Sequence, residues 1–223
     1  MKMNKRFLLS VIIVIGLTCF LFVSAFDLAD LLAGPGWTSD GDGFYGFDII
    51  QWLFIFLPVY GLGLREFESI LNRAHLYVHR YQKVRNWWFH VLRKNIFEIV
   101  ILYLVMGVSI RLLAWDIWTE EMTKSVFLIF IHALFCLAFS IWLRMLSGNM
   151  ILASVVLVLL EVMAKMAVVM KILTPAFSPF SWGMYHYTAQ NYGVGGFPIV
   201  FAVIIQLCMV CSLAVLVCGR GKV

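Results

Sequence analysis

Six stretches of this chain carry few or no charges, and each comes close to the length a helix needs to cross a bilayer. They run at about 7–25, 48–64, 96–115, 125–146, 150–170 and 198–218. Crossing the hydrocarbon core takes roughly 20 apolar residues in helical form. The lipid interior offers a backbone no hydrogen-bond partners, so a spanning segment must be a helix or a strand of a closed barrel. Apolar residues here are continuous rather than alternating, which selects the helix. The expected fold class is all-α, a polytopic membrane protein of six spans forming one transmembrane domain over residues 1–223. Composition agrees: 63% of residues are hydrophobic and 13% charged, against roughly 45–50% and about 25% in soluble domains.

Two of the six runs are irregular. The second is the shortest and contains Pro58, Gly61 and Gly63, which predicts a broken or partly re-entrant helix. The first, "MKMNKR" followed by an apolar stretch and "VSA", also reads as a signal peptide with a cleavage site; it is counted as a span. All five cysteines (Cys19, Cys136, Cys208, Cys211, Cys218) lie within apolar runs, so disulfides are not expected. Cys208 and Cys211 make a CxxC spacing inside a span, read as small apolar side chains.

Lys and Arg gather on the cytoplasmic side of short loops. With the amino terminus inside, thirteen of the seventeen Lys and Arg residues fall on the inner side, with the largest group between Arg65 and Lys94. The outer loops carry Asp27, Asp30, Asp40, Asp42, Asp116, Glu120 and Glu121. Both termini are therefore expected in the cytoplasm. The inner loop 65–95, containing "AHLYVHRYQKVRNWWFHVLRK", is longer than a hairpin requires. Phe67, Ile70, Leu71, Ala74 and Val78 fall on one helical face, while Arg73, His75, His79 and Arg80 lie elsewhere. This predicts an amphipathic helix leading to an interfacial anchor at Trp87 and Trp88. Such a helix can rest on membrane lipid or dock into a partner's groove, and the pattern alone leaves both open.

Catalytic motifs are absent. "GRGKV" has Gly-Lys but no following Ser or Thr, so it is no phosphate-binding loop. His75 and His79 sit at i, i+4, but "HLYVH" lacks the glutamate of a zinc-protease helix; no metal site and no catalytic residue is expected. Charges inside spans carry more meaning, because an ionisable group near the bilayer centre is costly. Glu161 and Lys165 lie four apart on the fifth helix, an orientation that favours pairing. They either neutralise each other in the bundle, line a substrate path or contact another subunit. Glu98 and Arg111 are explained by snorkelling, and His132 by an internal hydrogen bond. The outer segment 172–197 is too aromatic for a solvated loop and too broken by Pro175, Pro179, Gly195 and Gly196 to span. Either it is an aromatic belt, or short helices built around Pro179 dip into the outer leaflet and bring Phe177, Phe180, Trp182, Tyr185 and Tyr187 to the interface.

With these parts in place, "RYQKVRNWWFHVLRK" after the second span and "SPFSWGMYHY" between the fifth and sixth resemble the permease subunits of ABC-2-type exporters. The likeness is to the small ones of bacteriocin or lantibiotic export and immunity, and it covers about residues 47–218. The resemblance implies a cytoplasmic coupling helix at about 65–80 and a re-entrant element at about 175–192. In that helix Phe67, Ile70, Leu71, Arg73, Ala74 and Arg80 would face an ATPase. It also implies a bacterial cell membrane, a second permease subunit, and a separate ATPase dimer that binds ATP and Mg. This chain would then bind no cofactor and no nucleic acid. The competing expectations are an intramembrane peptide-processing enzyme, which needs a clustered acid/base or metal constellation, and a non-transporting accessory protein.

Overall fold

The computed structural model describes residues 5–24, 28–34, 46–73 and 84–219. Among them the regular elements are all helical. We number the main α-helices α1 (Lys5–Ser24), α2 (Leu28–Ala33), α3 (Gly46–Ile55), α4 (Leu64–Leu71), α5 (Val84–Leu113), α6 (Glu120–Ser147), α7 (Met150–Val169) and α8 (Ile199–Gly219). Four of these, α5 to α8, are long and apolar enough to cross a membrane. α3 and α4 together satisfy the same test as one element bent by 48°. The apolar stretch of α1, Leu8–Val23, falls short of that length.

The break between α3 and α4 has a local cause. Pro58 has no N–H and opens a π-helical turn, Pro58–Gly63, that runs straight into α4. The Val59 N–H is drawn to Phe56 O at 2.9 Å, and so leaves Ile55 O without its usual intrahelical donor. The Tyr103 hydroxyl of α5 donates to that carbonyl at 3.1 Å. Lipid could not have supplied this bond. Gly63 lets the turn press on α5, since a Cβ there would sit 2.6 Å from Ile99 Cδ1.

The α6–α7 hairpin is set by its caps. Thr119 accepts from Met122 N at the start of α6, and Glu120 and Glu121 place negative charge at the positive end of the helix. Gly148, at φ 69°, ends α6 in the left-handed conformation that glycine adopts without strain. Asn149 then caps α7, accepting from Ile151 N and Leu152 N. α6 is the central helix of the bundle. α7, α8, α2 and the π-helical turn all pack on it, and α1 packs on α5.

Two loop expectations change. The helix that carries the third apolar run starts at Val84, ahead of that run, and buries Trp87, Trp88, Val91, Leu92, Asn95 and Ile99 along one stripe. The non-helical part of 65–95 is thereby shortened from both ends, since α4 follows the π-helical turn directly and runs to Leu71. The outer segment forms 3-10 turns at Pro175–Phe177, Pro179–Ser181, Tyr185–Tyr187 and Gly193–Gly195, and a single α-turn at Ala189–Tyr192. These turns are packed into the bundle: Trp182, Gly183, Met184, Tyr185 and Tyr187 are buried, whereas Phe177 is exposed.

Candidate functional site

The centre of the bundle holds a cluster of polar side chains built from i, i+4 pairs on three helices. One helical turn separates such residues, so both project from the same face. α6 contributes His132 and Cys136, α7 contributes Glu161 and Lys165, and Trp52 of α3 joins them with Phe56, the residue just past its end. All six are buried.

Glu161 is the hub. Its Oε2 accepts from Lys165 Nζ at 2.9 Å. Its Oε1 lies 3.2 Å from His132 Nε2 and accepts from the Cys136 thiol at 2.8 Å. On the far side of the imidazole, Gln206 Nε2 of α8 stands 3.1 Å from His132 Nδ1 and 3.4 Å from the Pro179 carbonyl. A carbonyl only accepts, so the amide presents its NH2 end there. Nδ1 then accepts, and Nε2 carries the ring proton and donates it to Glu161. The carboxylate therefore has a donor on every side.

The Lys165 ammonium has a second partner. It lies 3.4 Å from the centroid of the Trp52 ring and 6.0 Å from that of Phe56. A desolvated cation on an indole face gains about 2 kcal/mol. One carboxylate and one ammonium cancel, so the cluster holds two charges and no net charge. That is how charge survives in a low-dielectric interior.

The outer segment closes the cluster. A Cβ on Gly183 would stand 2.8 Å from His132 Cδ2 and 2.9 Å from its Cγ, so this backbone lies directly on the imidazole. Phe180 stacks on Phe135 and Phe139 at 5.5 Å, and the Trp182 indole donates to Pro175 O at 2.9 Å.

A second feature lies at the other end of the bent element. Arg144 of α6 grips Glu68 of α4 in bidentate fashion, Nε to Oε2 at 2.9 Å and Nη2 to Oε1 at 3.2 Å. Beside this pair opens a cleft of about 640 Å³ lined by Arg65, Glu68, Ser69, Asn72, Arg73, Met150 and Ile151.

The residues singled out from the sequence thus fall into different places. Glu161 and Lys165 are brought together. Phe67 is wholly buried in the chain's own core, 6.2 Å from the Trp88 ring, so it offers nothing to a partner's groove. Ile70 and Leu71 are half-buried against that core. Arg73 is exposed and hydrogen-bonded to Ser69. Ala74 and Arg80 lie outside the described residues. Trp87 and Trp88 are 2% and 1% exposed and stack edge to face, so neither ring is open to a headgroup layer. Tyr185 and Trp182 are buried, Pro179 and Phe180 half-buried. Cys208 and Cys211 are exposed on α8.

Sequence reasoning gives His132 an internal hydrogen bond, which it makes, but does not place Cys136, Gln206, Trp52 or Phe56 beside it. His132 and Cys136 at i, i+4 were a readable signal. The Gln206 contact crosses 74 positions and had none.

Fold and site define a class: an all-helical chain with apolar helices suited to a membrane, built around a closed ion pair. No protein family, no curated protein and no solved structure matches it.

Proposed function

We propose that the chain is the permease subunit of an ATP-driven exporter of the ABC-2 type. It would be a six-span protein of the cell membrane with both termini cytoplasmic, paired with a second permease subunit and a separate ATPase dimer. In this reading α1 and the bent α3–α4 element complete the six spans with α5 to α8. ATP and Mg belong to the partner, and a peptide or amphipathic substrate crosses within the bundle.

One observation carries the reading. The bent element touches the buried ion pair at one end, through Trp52 on Lys165, and lines the open cleft at the other, through Arg65, Ser69 and Arg73. A partner that pushes on α4 is thereby linked to the charged centre of the bundle. Transport needs such a partner to favour one of two bundle states by binding it more tightly. Because Phe67 points inward, the docking face is the exposed one: Arg65, Asn72 and Arg73, beside the half-buried Ser69 and with Ile151 at 76% exposure.

Capture in mild detergent tests this. The chain should bring down a nucleotide-binding subunit, and Arg65→Glu with Arg73→Glu should release it while the chain stays in the membrane. If no ATPase copurifies, or if it survives both charge reversals, the reading fails.

A second reading draws on the proximity of His132, Cys136 and Glu161, a grouping of the kind that supports acid–base and nucleophilic chemistry. An intramembrane peptide-processing enzyme would lose processing in Cys136→Ser while partner capture stayed the same.

A further inference from the structure

We propose that His132, Cys136 and Glu161 form a binding site for a borderline-soft divalent cation, zinc being the ion whose chemistry fits. This is independent of the transport reading, which uses Lys165 and the outer face of α4.

The argument begins with the donor set. An imidazole nitrogen, a thiol sulfur and a carboxylate oxygen lie within 4.8 Å of one another, and all three residues are buried. Zinc is the common ion that accepts this mixture of N, S and O donors, at about 2.0–2.1 Å for N and O and about 2.3 Å for S. Around a tetrahedral ion those bonds put two N/O donors about 3.4 Å apart and an N/S pair about 3.5 Å apart. The observed separations are 3.2 Å for His132 Nε2 to Glu161 Oε1 and 3.5 Å for His132 Nε2 to Cys136 Sγ. Two of the three edges are therefore already set. The third, Cys136 Sγ to Glu161 Oε1, is 2.8 Å and must open as its S–H···O contact gives way to two bonds to the ion.

The surroundings supply what a metal site requires beyond its ligands. A zinc-bound histidine hands its second ring nitrogen to a polar partner that fixes its tautomer. Gln206 already occupies that place on His132 Nδ1. In the metal-free cluster it donates its NH2 to Nδ1. On loading, the ring proton moves from Nε2 to Nδ1, and the amide turns to accept it through Oε1, giving up its long contact to the Pro179 carbonyl. The thiol proton of Cys136 leaves, and the thiolate and the Glu161 carboxylate then face three positive charges, two on the ion and one on Lys165; loss of a proton from the water at the fourth position, which zinc makes acidic, closes the balance. Lys165 keeps its own charge on the Trp52 face and on Glu161 Oε2. Three protein ligands leave a fourth position for water. Gly183 presses on the His132 ring, so a loaded site would also pin the outer segment against α6.

The test uses the full chain in detergent, stripped with a chelator and titrated with Co²⁺ and then Zn²⁺ alone. One equivalent of Co²⁺ should produce a thiolate-to-cobalt charge-transfer band with the strong visible bands of tetrahedral coordination, and Zn²⁺ should erase both. Cys136→Ala should abolish the charge-transfer band. Gln206→Leu should weaken affinity about 10–100-fold. Glu161→Gln removes a ligand but also unbalances Lys165, so Glu161→Gln/Lys165→Met serves as the variant that keeps the charge balance, and it too should not bind. The exposed Cys208 and Cys211 are the control: replacing both with Ser should leave the spectrum as it was. The proposal is overturned if the wild-type chain binds less than one equivalent, if the band survives Cys136→Ala, or if it disappears with Cys208 and Cys211.

Discussion

Removing one partner of the Glu161–Lys165 pair should harm the protein more than removing both. Both side chains have zero exposure and sit 2.9 Å apart. Lys165→Met leaves a carboxylate in the core with only His132 and Cys136 as neutral donors. Breaking a buried pair from one side costs about 3–5 kcal/mol. Glu161→Gln leaves an ammonium that keeps the Trp52 face, a contact of about 2 kcal/mol, so its loss should lie at the low end of that range. The double change leaves Gln beside Met with no charge stranded, and should cost no more than about 2 kcal/mol. The coupling is then at least about 4 kcal/mol, well outside the ~0.5 kcal/mol scatter of independent sites. Thermal unfolding of the four chelator-treated proteins in one detergent reads this directly. At about 2–4 °C per kcal/mol for a chain of this size, each single variant should melt on the order of 10 °C low and the double variant only a few degrees low. Additive shifts would mean that the two charges do not sense each other, and the buried pair would be refuted.

Further outcomes follow from other contacts. Gly183→Ala forces a methyl onto the His132 ring and should cost about 1–3 kcal/mol as overpacking, with Cys136 becoming reactive to a small maleimide that ignores the wild type. Gly196→Ala meets Thr188 O at 2.6 Å and Ala189 backbone at 2.7 Å, so it should destabilise more than Gly61→Ala, which meets nothing within 4 Å; melting temperatures decide. Arg144→Gln breaks a part-exposed bidentate bridge and should cost about 1 kcal/mol, with the Glu68→Arg/Arg144→Glu exchange recovering part of it. A cysteine introduced at position 83 should be labelled from the cytoplasmic side alone, and labelling from outside intact cells would reverse the topology.

Helix existence was legible because each apolar run is long. The α6–α7 boundary was legible too, since Ser147, Gly148 and Asn149 combine a left-handed glycine with a side-chain cap. The start of α5 was not. Arg85, Arg93 and Lys94 made the region look like a loop, whereas the Trp87–Trp88–Val91–Leu92–Asn95 stripe continued beneath the charges. Pro58 and the glycines at 61 and 63 announced a break, but not that its free carbonyl would be claimed by Tyr103 from 48 positions away. The site divides in the same way. Glu161 with Lys165 is a relation within one turn of helix and can be read from spacing. The convergence of α3, α6, α7 and α8 on that pair depends on how helices cross, which periodicity does not encode.

The π-helical turn at Pro58–Gly63 acts as a phase setting for everything after it. A wide turn holds about one residue more than an α-turn, and each residue advances a helix by about 100°. With that surplus, Phe67 comes round to the Trp88 side and Glu68 to Arg144. Deleting one residue from the turn, Gly61 for instance, would keep α4 helical and of unchanged composition but would swing its inner face outward. The apolar side chain would reach the surface and the carboxylate would leave its arginine. An insertion or deletion of one residue at this point is therefore a rotation of the arm rather than a change in its length, and it could re-aim the arm without altering any residue on it.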